Sequence, residues 1–585
     1  MKHNGGSIIG ETLAAQGVEF LFTLCGGHIS PILVGAEEQG IRVVDVRDEA
    51  SAVFAADAVA RMTGIPGVAA VTAGPGVTNT LTAIKNAQMA ESPLVLFGGA
   101  AATILKGRGS LQDIDQLSML GTITKWRTSV STVKSLRPTV EKAFEIARGG
   151  VPGPVFVEVP VDLLYDEALV REWFLTESGA NKAKGLAGKA LKLYLEAHLY
   201  RQFNQPHLEV DLPMPEFQGG LPGRSPRAKI PAVVEMLRSA ERPVLVIGSQ
   251  TLVNTADPAP IAAAVEALGV PVWLGGMARG LLGRQSDVQF RHARSPALKQ
   301  ADLVIVCGFP FDFRLGYGRK FGKAKVVSVN LDAEALRKNR KPDIGIEMHA
   351  GQFLVALAEA VGKGDRQRWA PWLTACRERE AKRDAEIAET AGRAMGDGLV
   401  DPLAFFLRLE EKMSEDAVLV VDGGDFAATA AYTLRPRGAL AWLDPGVFGT
   451  LGVGGGFALG ASLVRPGSEV WLVWGDGSSA YSLAEFDTFV RHGVAPIAVI
   501  GTDASWAQIA RDQVEFLGSA CGTELRRTAY HTVAEGYGGR GLLLTDPAKI
   551  DETIDEAKRL ASEGVPVCIN IHLARSDFRK GSISL

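Results

Sequence analysis

Gly475-Asp476-Gly477-Ser478 stands directly after the apolar run 470–474, and Asp503 follows 27 residues after Asp476, at the end of a second apolar run, 497–501. Open α/β sheets bind their ligands at the carboxyl ends of parallel strands. Glycines there let the main chain approach a diphosphate. Two carboxylates brought by neighbouring strand ends can share one divalent cation, with the diphosphate completing its oxygen shell. A Gly-Asp-Gly triplet alone is an ordinary turn; the strand-helix-strand distance to the second carboxylate gives it chemical meaning. Glu49 is a further candidate. It follows the apolar run 41–46 in Arg47-Asp48-Glu49-Ala50 and precedes an Ala-rich helical pattern over 50–62. A carboxyl group at that point exchanges a proton near neutral pH if it is desolvated; left in water, it is an acid that opens a helix with help from the helix dipole. His28, in Gly26-Gly27-His28, can shuttle a proton in the neutral range, although a lone histidine is more often structural.

These residues need strands that end where they sit. In the first part of the chain, apolar runs at 18–24, 41–46, 67–72, 94–97 and 154–159 each end in Gly, Pro or acidic residues, with helical patterns between them. That alternation predicts a doubly wound parallel sheet over 1–168. Residues 169–229 read as linker and insertion: a Lys-rich stretch, an amphipathic helix over 186–203 expected to be a solvated linker helix, and a Pro/Gly-rich run at 213–226. A second α/β unit spans 230–362, with strands at 243–247, 270–274, 302–307 and 325–330. A charged helical linker covers 363–395. A third unit runs over 396–585, with strands at 417–421, 469–474, 497–501 and 567–571. The expected fold class is therefore α/β, with three consecutive doubly wound parallel-sheet domains.

Composition agrees and excludes other classes. A chain of 585 residues is too long for a single core, and length suggests roughly three to four domains. Hydrophobic content of 46%, charged content of 22% and a net charge of −4 give no sign of a nucleic-acid or membrane-surface partner. Five scattered cysteines without a Cys-x-x-Cys pair fit a reducing, cytoplasmic compartment better than a disulfide framework or zinc site. The N-terminal residues lack the apolar core of a signal peptide, and no apolar run is long enough for a membrane span.

The Gly475-to-Asp503 spacing resembles the signature of thiamine-diphosphate-dependent enzymes, in which Gly-Asp-Gly is followed at a similar distance by Asn-Asn. Here Thr502-Asp503 occupies the Asn-Asn position. The resemblance implies thiamine diphosphate and Mg²⁺ as cofactors, with Asp476, Asp503 and the Ser505 carbonyl on the metal. It implies that Glu49 bonds N1′ of the aminopyrimidine and favours the imino tautomer, which deprotonates the thiazolium to the nucleophilic ylid. Leu451, in Gly449-Thr450-Leu451-Gly452, matches the bulky residue that holds the cofactor bent, with the Gly449 carbonyl accepting from the 4′-amino group. Gly424 and Asp425 match the loop that meets the diphosphate, together with Gly475, Gly477, Ser478 and Trp506. Gly26, Gly27, Pro75 and Asn79 resemble cofactor-facing positions, and His28 and Gln112 catalytic ones. The three units become pyrimidine-binding, middle and diphosphate-binding domains. In such enzymes the cofactor lies between two subunits, so a homodimer is the minimum and a homotetramer is expected.

Finer likeness comes from Gly26-Gly27-His28-Ile29-Ser30-Pro31, from Lys85-Asn86-Ala87-Gln88-Met89-Ala90, from Gly275-Gly276-Met277-Ala278-Arg279-Gly280, from Asp312-Phe313-Arg314 and from Asp577-Phe578-Arg579. These look like the acetolactate-synthase-like proteins grouped with 2-hydroxyacyl-CoA lyases, and specifically like a soluble bacterial member. The implied reaction cleaves a 2-hydroxyacyl-CoA to formyl-CoA and an aldehyde. The alternative is an acetolactate synthase or another ligase that decarboxylates a 2-oxoacid. The partners implied are small acyl-CoA and aldehyde molecules. By resemblance, Arg575, Arg579 and Lys580 belong to a tail that closes over CoA, although a frayed basic terminus reads equally well. Ser249, Arg279 and Arg314 are candidates for ADP binding in the middle domain.

Overall fold

The computed structural model describes residues 4–182, 185–204, 226–362, 366–392, 398–576 and 578–579. They contain three six-stranded sheets, parallel throughout. The first holds β1 (Phe20–Leu24), β2 (Arg42–Asp45), β3 (Gly67–Val71), β4 (Leu94–Ala100), β5 (Trp126–Ser129) and β6 (Pro154–Pro160). The second holds β7 (Pro243–Ile247), β8 (Val272–Leu274), β9 (Gln289–Phe290), β10 (Leu303–Cys307), β11 (Lys325–Asn330) and β12 (Ile344–Glu347). The third holds β13 (Val418–Val421), β14 (Trp442–Leu443), β15 (Val470–Gly475), β16 (Ile497–Thr502), β17 (Arg540–Leu544) and β18 (Val567–His572). Central strands such as Ile497–Thr502 are buried along their whole length, because helices cover both faces of a parallel sheet and leave only apolar, largely β-branched sequence between them.

The first sheet has the order β2-β1-β3-β4-β6-β5 and the third β14-β13-β15-β16-β18-β17. Counted from its own first strand, each reads 2-1-3-4-6-5, so the two sheets share one topology. The middle sheet, β12-β11-β10-β7-β8-β9, differs: it has the 3-2-1-4-5-6 order of dinucleotide-binding folds. The chain forms two compact units, the first built on the first sheet and the second on the other two. The third sheet packs Trp442, Trp471, Phe405 and Phe426 in its core, and the first packs Phe97, Phe144, Val155 and Leu136.

One expectation changes. The helix Gly185–Phe203 is not a solvated linker helix. Leu195 and Leu199 are buried against Val170 and Phe174 of the helix Glu167–Glu177, burial that contributes about 1.5–3 kcal/mol for each leucine. The Pro/Gly-rich run at 213–226 lies, apart from Pro226, outside the described residues. The charged helix, Arg366–Ala391, is likewise fastened down: Trp369 Nε1 donates to the Ala240 carbonyl at 3.0 Å and Trp372 Nε1 to the Pro243 carbonyl at 3.1 Å. No helix among the described residues is long and apolar enough to cross a membrane.

Candidate active site

In the first unit the predicted residues lie beyond the carboxyl ends of β1, β2, β3 and β4. Glu49 opens the helix Glu49–Thr63 and is buried, 6% exposed. Asn79 Nδ2 donates to Glu49 Oε2 at 3.0 Å. Asn79 closes the short helix Pro75–Asn79, which starts from Gly74 at φ 65°, in the left-handed region where glycine is favoured. Thr72 organises the space between: its Oγ1 lies 3.3 Å from His28 Nδ1, and a Cβ on Gly26 would meet its side chain at 2.4 Å. Gly27 faces open space. Burial lowers the His28 pKa, which favours the neutral imidazole. Gln112 has φ 63°, an unusual backbone conformation for a residue other than glycine, and its main chain lies against Gly74.

In the second unit the ends of β13, β15 and β16 surround a cavity of about 850 Å³. Gly424, Asp425, Gly449, Leu451, Gly475 and Gly477 line it, as do Asp476, Ser478, Asp503, Ser505 and Trp506. Every third-domain residue predicted for the cofactor or metal therefore faces one space. Gly424 has φ 102° and is the N-cap of the helix Asp425–Thr433, so that helix presents its N-terminal N–H groups to the cavity, where an anion is favoured. Gly477 has a different reason to lack a side chain: an added Cβ would meet the Trp506 ring at 2.4 Å.

Asp476 Oδ1 accepts from the Gly477 amide and Oδ2 from the Ala504 amide, both at 2.9 Å, which locks the β15 turn to the loop after β16. Asp503 Oδ1 accepts from the Ser505 amide at 3.0 Å. Burial pushes Asp476 up to about 6; burial and then the charge of Asp476 push Asp503 up to about 7. A buried carboxylate whose charge raises the pKa of its half-buried neighbour marks a place short of positive charge, which a divalent cation with oxygen preference supplies. The cavity with its glycine-lined walls and the helix N-terminus accommodates a diphosphate beside it. The residues present thus fit thiamine diphosphate and its cation.

Comparison with known proteins agrees with this geometry. Residues 3–119 match the model for the thiamine pyrophosphate enzyme N-terminal TPP binding domain, 230–357 the central domain and 422–571 the C-terminal TPP binding domain. The chain belongs to the thiamine pyrophosphate enzyme family. Among curated relatives, 2-hydroxyacyl-CoA lyase 2 of Danio rerio is 49% identical over 598 residues, covering 100% of this chain and 93% of the relative. The Homo sapiens protein of that name is 46% identical over 593 residues, covering 100% and 92%. A probable acetolactate synthase of Mycobacterium bovis is 32% identical over 572 residues, covering 97% and 95%. As a thiamine pyrophosphate enzyme, the chain carries Glu49 within the N-terminal domain match and both aspartates within the C-terminal one.

Several residues of this family member escape sequence reasoning. Asp422 is buried and accepts from the amides of Gly452 at 3.2 Å and Gly454 at 2.8 Å and from Trp474 Nε1 at 3.1 Å, which fixes the turn carrying Leu451. Burial pushes its carboxyl up to about 7. Gln116 holds the Gly74 turn: its Oε1 accepts from the Gly74 amide at 2.8 Å, and its Nε2 donates to Glu158 Oε2 at 2.8 Å. Arg511 pairs with Asp425. Only the position of Asp422 beside Gly423-Gly424 hinted at any of these.

The remaining candidates are dispersed. Arg575 and Arg579 line a second cavity of about 390 Å³ with Arg511, next to Asp503. Arg579 is not frayed: its carbonyl accepts from Arg511 Nη1 at 3.0 Å, and the neighbouring Phe578 ring packs edge-on against Tyr432, centroids 5.6 Å apart. Lys580 lies outside the described residues. In the middle domain, Ser249 Oγ accepts from the Met277 amide at 3.1 Å. Arg279 is half-buried at the wall of the 850 Å³ cavity, donates to the Ala431 carbonyl at 2.7 Å and stacks 4.7 Å from the Trp442 ring centroid. Arg314 forks onto Asp312 and lies 4.2 Å over Phe309. Arg279 therefore serves to join the middle and third sheets.

Proposed function

We propose that this chain is a carbon–carbon lyase that cleaves a 2-hydroxyacyl-CoA to formyl-CoA and an aldehyde, and that in reverse joins formyl-CoA to an aldehyde or ketone. The observation that carries this reading is identity of 46–49% over the full chain to 2-hydroxyacyl-CoA lyase 2 from several animals, against 32% to an acetolactate synthase. Bound thiamine diphosphate supplies a ring that accepts the electron pair of the broken C1–C2 bond.

Glu49 would bond N1′ of the aminopyrimidine when thiamine diphosphate is bound, and Asn79 holds the Glu49 side chain in place for it. His28, anchored through Nδ1 to Thr72, offers Nε2 for the proton that leaves the substrate hydroxyl as the carbonyl of the aldehyde forms. The proton added at the formyl carbon balances it. Asp476, Asp503 and the Ser505 carbonyl would hold Mg²⁺, and Leu451 would pack against the bound cofactor. Arg511, Arg575, Arg579 and Lys580 supply the positive charge that CoA phosphates require. The dinucleotide-type order of the middle sheet supports ADP at the turn of Gly248 and Ser249, with equilibrium dialysis against ADP as its test. The proposed assembly is a homodimer at least and a homotetramer by resemblance, in a cytoplasmic setting consistent with five unpaired thiols.

The deciding experiment supplies thiamine diphosphate, Mg²⁺ and a 2-hydroxyacyl-CoA and measures aldehyde and formyl-CoA in equal amounts. Acetolactate and CO₂ from pyruvate, with no aldehyde from the acyl-CoA, would overturn the reading.

A further inference from the structure

The helix Gly185–Phe203 is apolar on two opposite faces. One face, with Leu195 and Leu199, packs on the helix Glu167–Glu177. The other carries Leu186, Ala187, Ala190, Leu193, Tyr194, Ala197 and Tyr200, all exposed. Leu186 is 88% exposed, Leu193 72%, Tyr200 64% and Tyr194 55%. A contiguous exposed apolar stripe marks an interaction surface, and among the described residues nothing covers this one. Leu186, Ala190, Leu193, Ala197 and Tyr200 are spaced four, three, four and three residues apart, the period of a two-helix seam that packs knobs into holes.

We infer that this stripe is a self-association surface, on which the helix pairs antiparallel with the same helix of a second copy of the chain. Large and small residues alternate along the seam. An antiparallel partner centred between Ala190 and Leu193 sets Leu193 over the partner's Ala190 and Leu186 over the partner's Ala197, so both leucines fill the gap over an alanine. A parallel partner instead stacks leucine on leucine and alanine on alanine. The antiparallel arrangement also brings Lys189 alongside the partner's Glu196, twice by symmetry, as charges flanking such a seam do. Glu196 keeps its own-chain ion pair with Arg171 at the edge of the stripe. A helix of 19 residues is about 28 Å long, too small a surface for a stable dimer by itself. The pairing therefore acts in addition to another subunit contact, joining smaller assemblies into a larger one.

The test is the particle mass of the full-length holoenzyme by light scattering and sedimentation. Leu193→Glu is expected to lower the mass to one half at micromolar concentration, with turnover per chain unchanged within twofold because the seam carries no catalytic group. Lys189→Glu is expected to lower it partly, and Lys189→Glu with Glu196→Lys to restore it. An unchanged mass for Leu193→Glu overturns the proposal. If that unchanged mass comes with a lower melting temperature, the stripe is covered by this chain's own residues. If it comes with loss of flotation on phosphatidylserine/phosphatidylcholine vesicles, the stripe faces lipid.

Discussion

Asn79 donates from Nδ2 to Glu49 Oε2 at 3.0 Å, across a sequence separation of 30 residues. The bond ties the helix that begins after β2 to the turn that ends β3, and so fixes the rotamer of a buried acid. Glu49→Gln keeps the shape and removes the exchangeable carboxyl proton. It is expected to lower turnover by about 10²–10⁴-fold, the range of a general acid–base group, while thiamine diphosphate still quenches tryptophan fluorescence with near-normal affinity. Asn79→Ala loses one charge-assisted bond, of about 1.5–3 kcal/mol, and is expected to cut turnover about 10- to 100-fold. Full activity in Glu49→Gln removes Glu49 from the chemistry.

The Asp476–Asp503 pair makes stability depend on pH. Asp503 stands near 7 in the folded chain against an ordinary 3.8. A carboxyl raised on folding contributes nothing below about pH 3.8, destabilises progressively as pH rises, and reaches its full cost above about pH 7. Asp503→Asn should therefore stabilise the cofactor-free protein at pH 8 by on the order of 2 kcal/mol and at pH 4.5 by only about a quarter as much. It should also reduce the rise in melting temperature on adding Mg²⁺ and thiamine diphosphate. Thermal melts at the two pH values decide this; an equal shift at both would sink the charge argument.

How much of this was legible in the sequence follows from burial. The patterning places the central strands of all three sheets, because apolar runs buried on both faces are unambiguous. It passes over β5, β9, β12, β14 and β17, and each of these is an edge strand. β5 (Trp-Arg-Thr-Ser) has no buried residue, and β9 and β14 are two residues long, so neither hydropathy nor length marks them. The helix 186–203 reads as a solvated linker helix because its charged residues separate two apolar faces that a linear scan cannot assign to partners. Groups at strand ends are marked by the sequence itself: Glu49 in the first sheet, and Asp476 and Asp503 in the third, each follow an apolar run. Gln116, Thr72 and Arg511 act through partners far away in sequence, and their local patterns are those of any surface residue.

Asp422 tests whether such a hidden residue positions the cofactor support. Its carboxylate accepts only N–H donors, from Gly452, Gly454 and Trp474. In Asp422→Asn the amide NH₂ faces one of those donors, leaving buried groups unsatisfied at a cost of about 1–3 kcal/mol. The main chain around Leu451 then shifts. The expected result is weaker thiamine diphosphate affinity, by about tenfold, in a protein whose circular dichroism is unchanged. Normal affinity with a lowered melting temperature would make Asp422 a purely structural residue.

Gly477 and Trp506 supply the sharpest test of the cavity wall. A Cβ on Gly477 would sit 2.4 Å from the Trp506 ring, closer than any carbon contact allows. Trp506 is the N-cap of the helix Ala507–Leu517, and its amide donates to the Thr523 carbonyl at 2.8 Å. Gly477→Ala therefore displaces the start of that helix next to Asp503 and Ser505. Cofactor affinity should fall at least about tenfold, with an altered tryptophan emission. Gly424→Ala should also weaken binding, for a different reason: a Cβ there meets nothing within 4 Å, but φ 102° strains any residue except glycine. The two causes separate in a double-mutant cycle. Trp506→Leu frees the space that the Gly477→Ala methyl needs, so the pair should lose less affinity than the sum of its single variants. Trp506→Leu should give no such relief to Gly424→Ala. Strict additivity in both pairs would mean that the Trp506 ring does not set the position of the Gly477 turn.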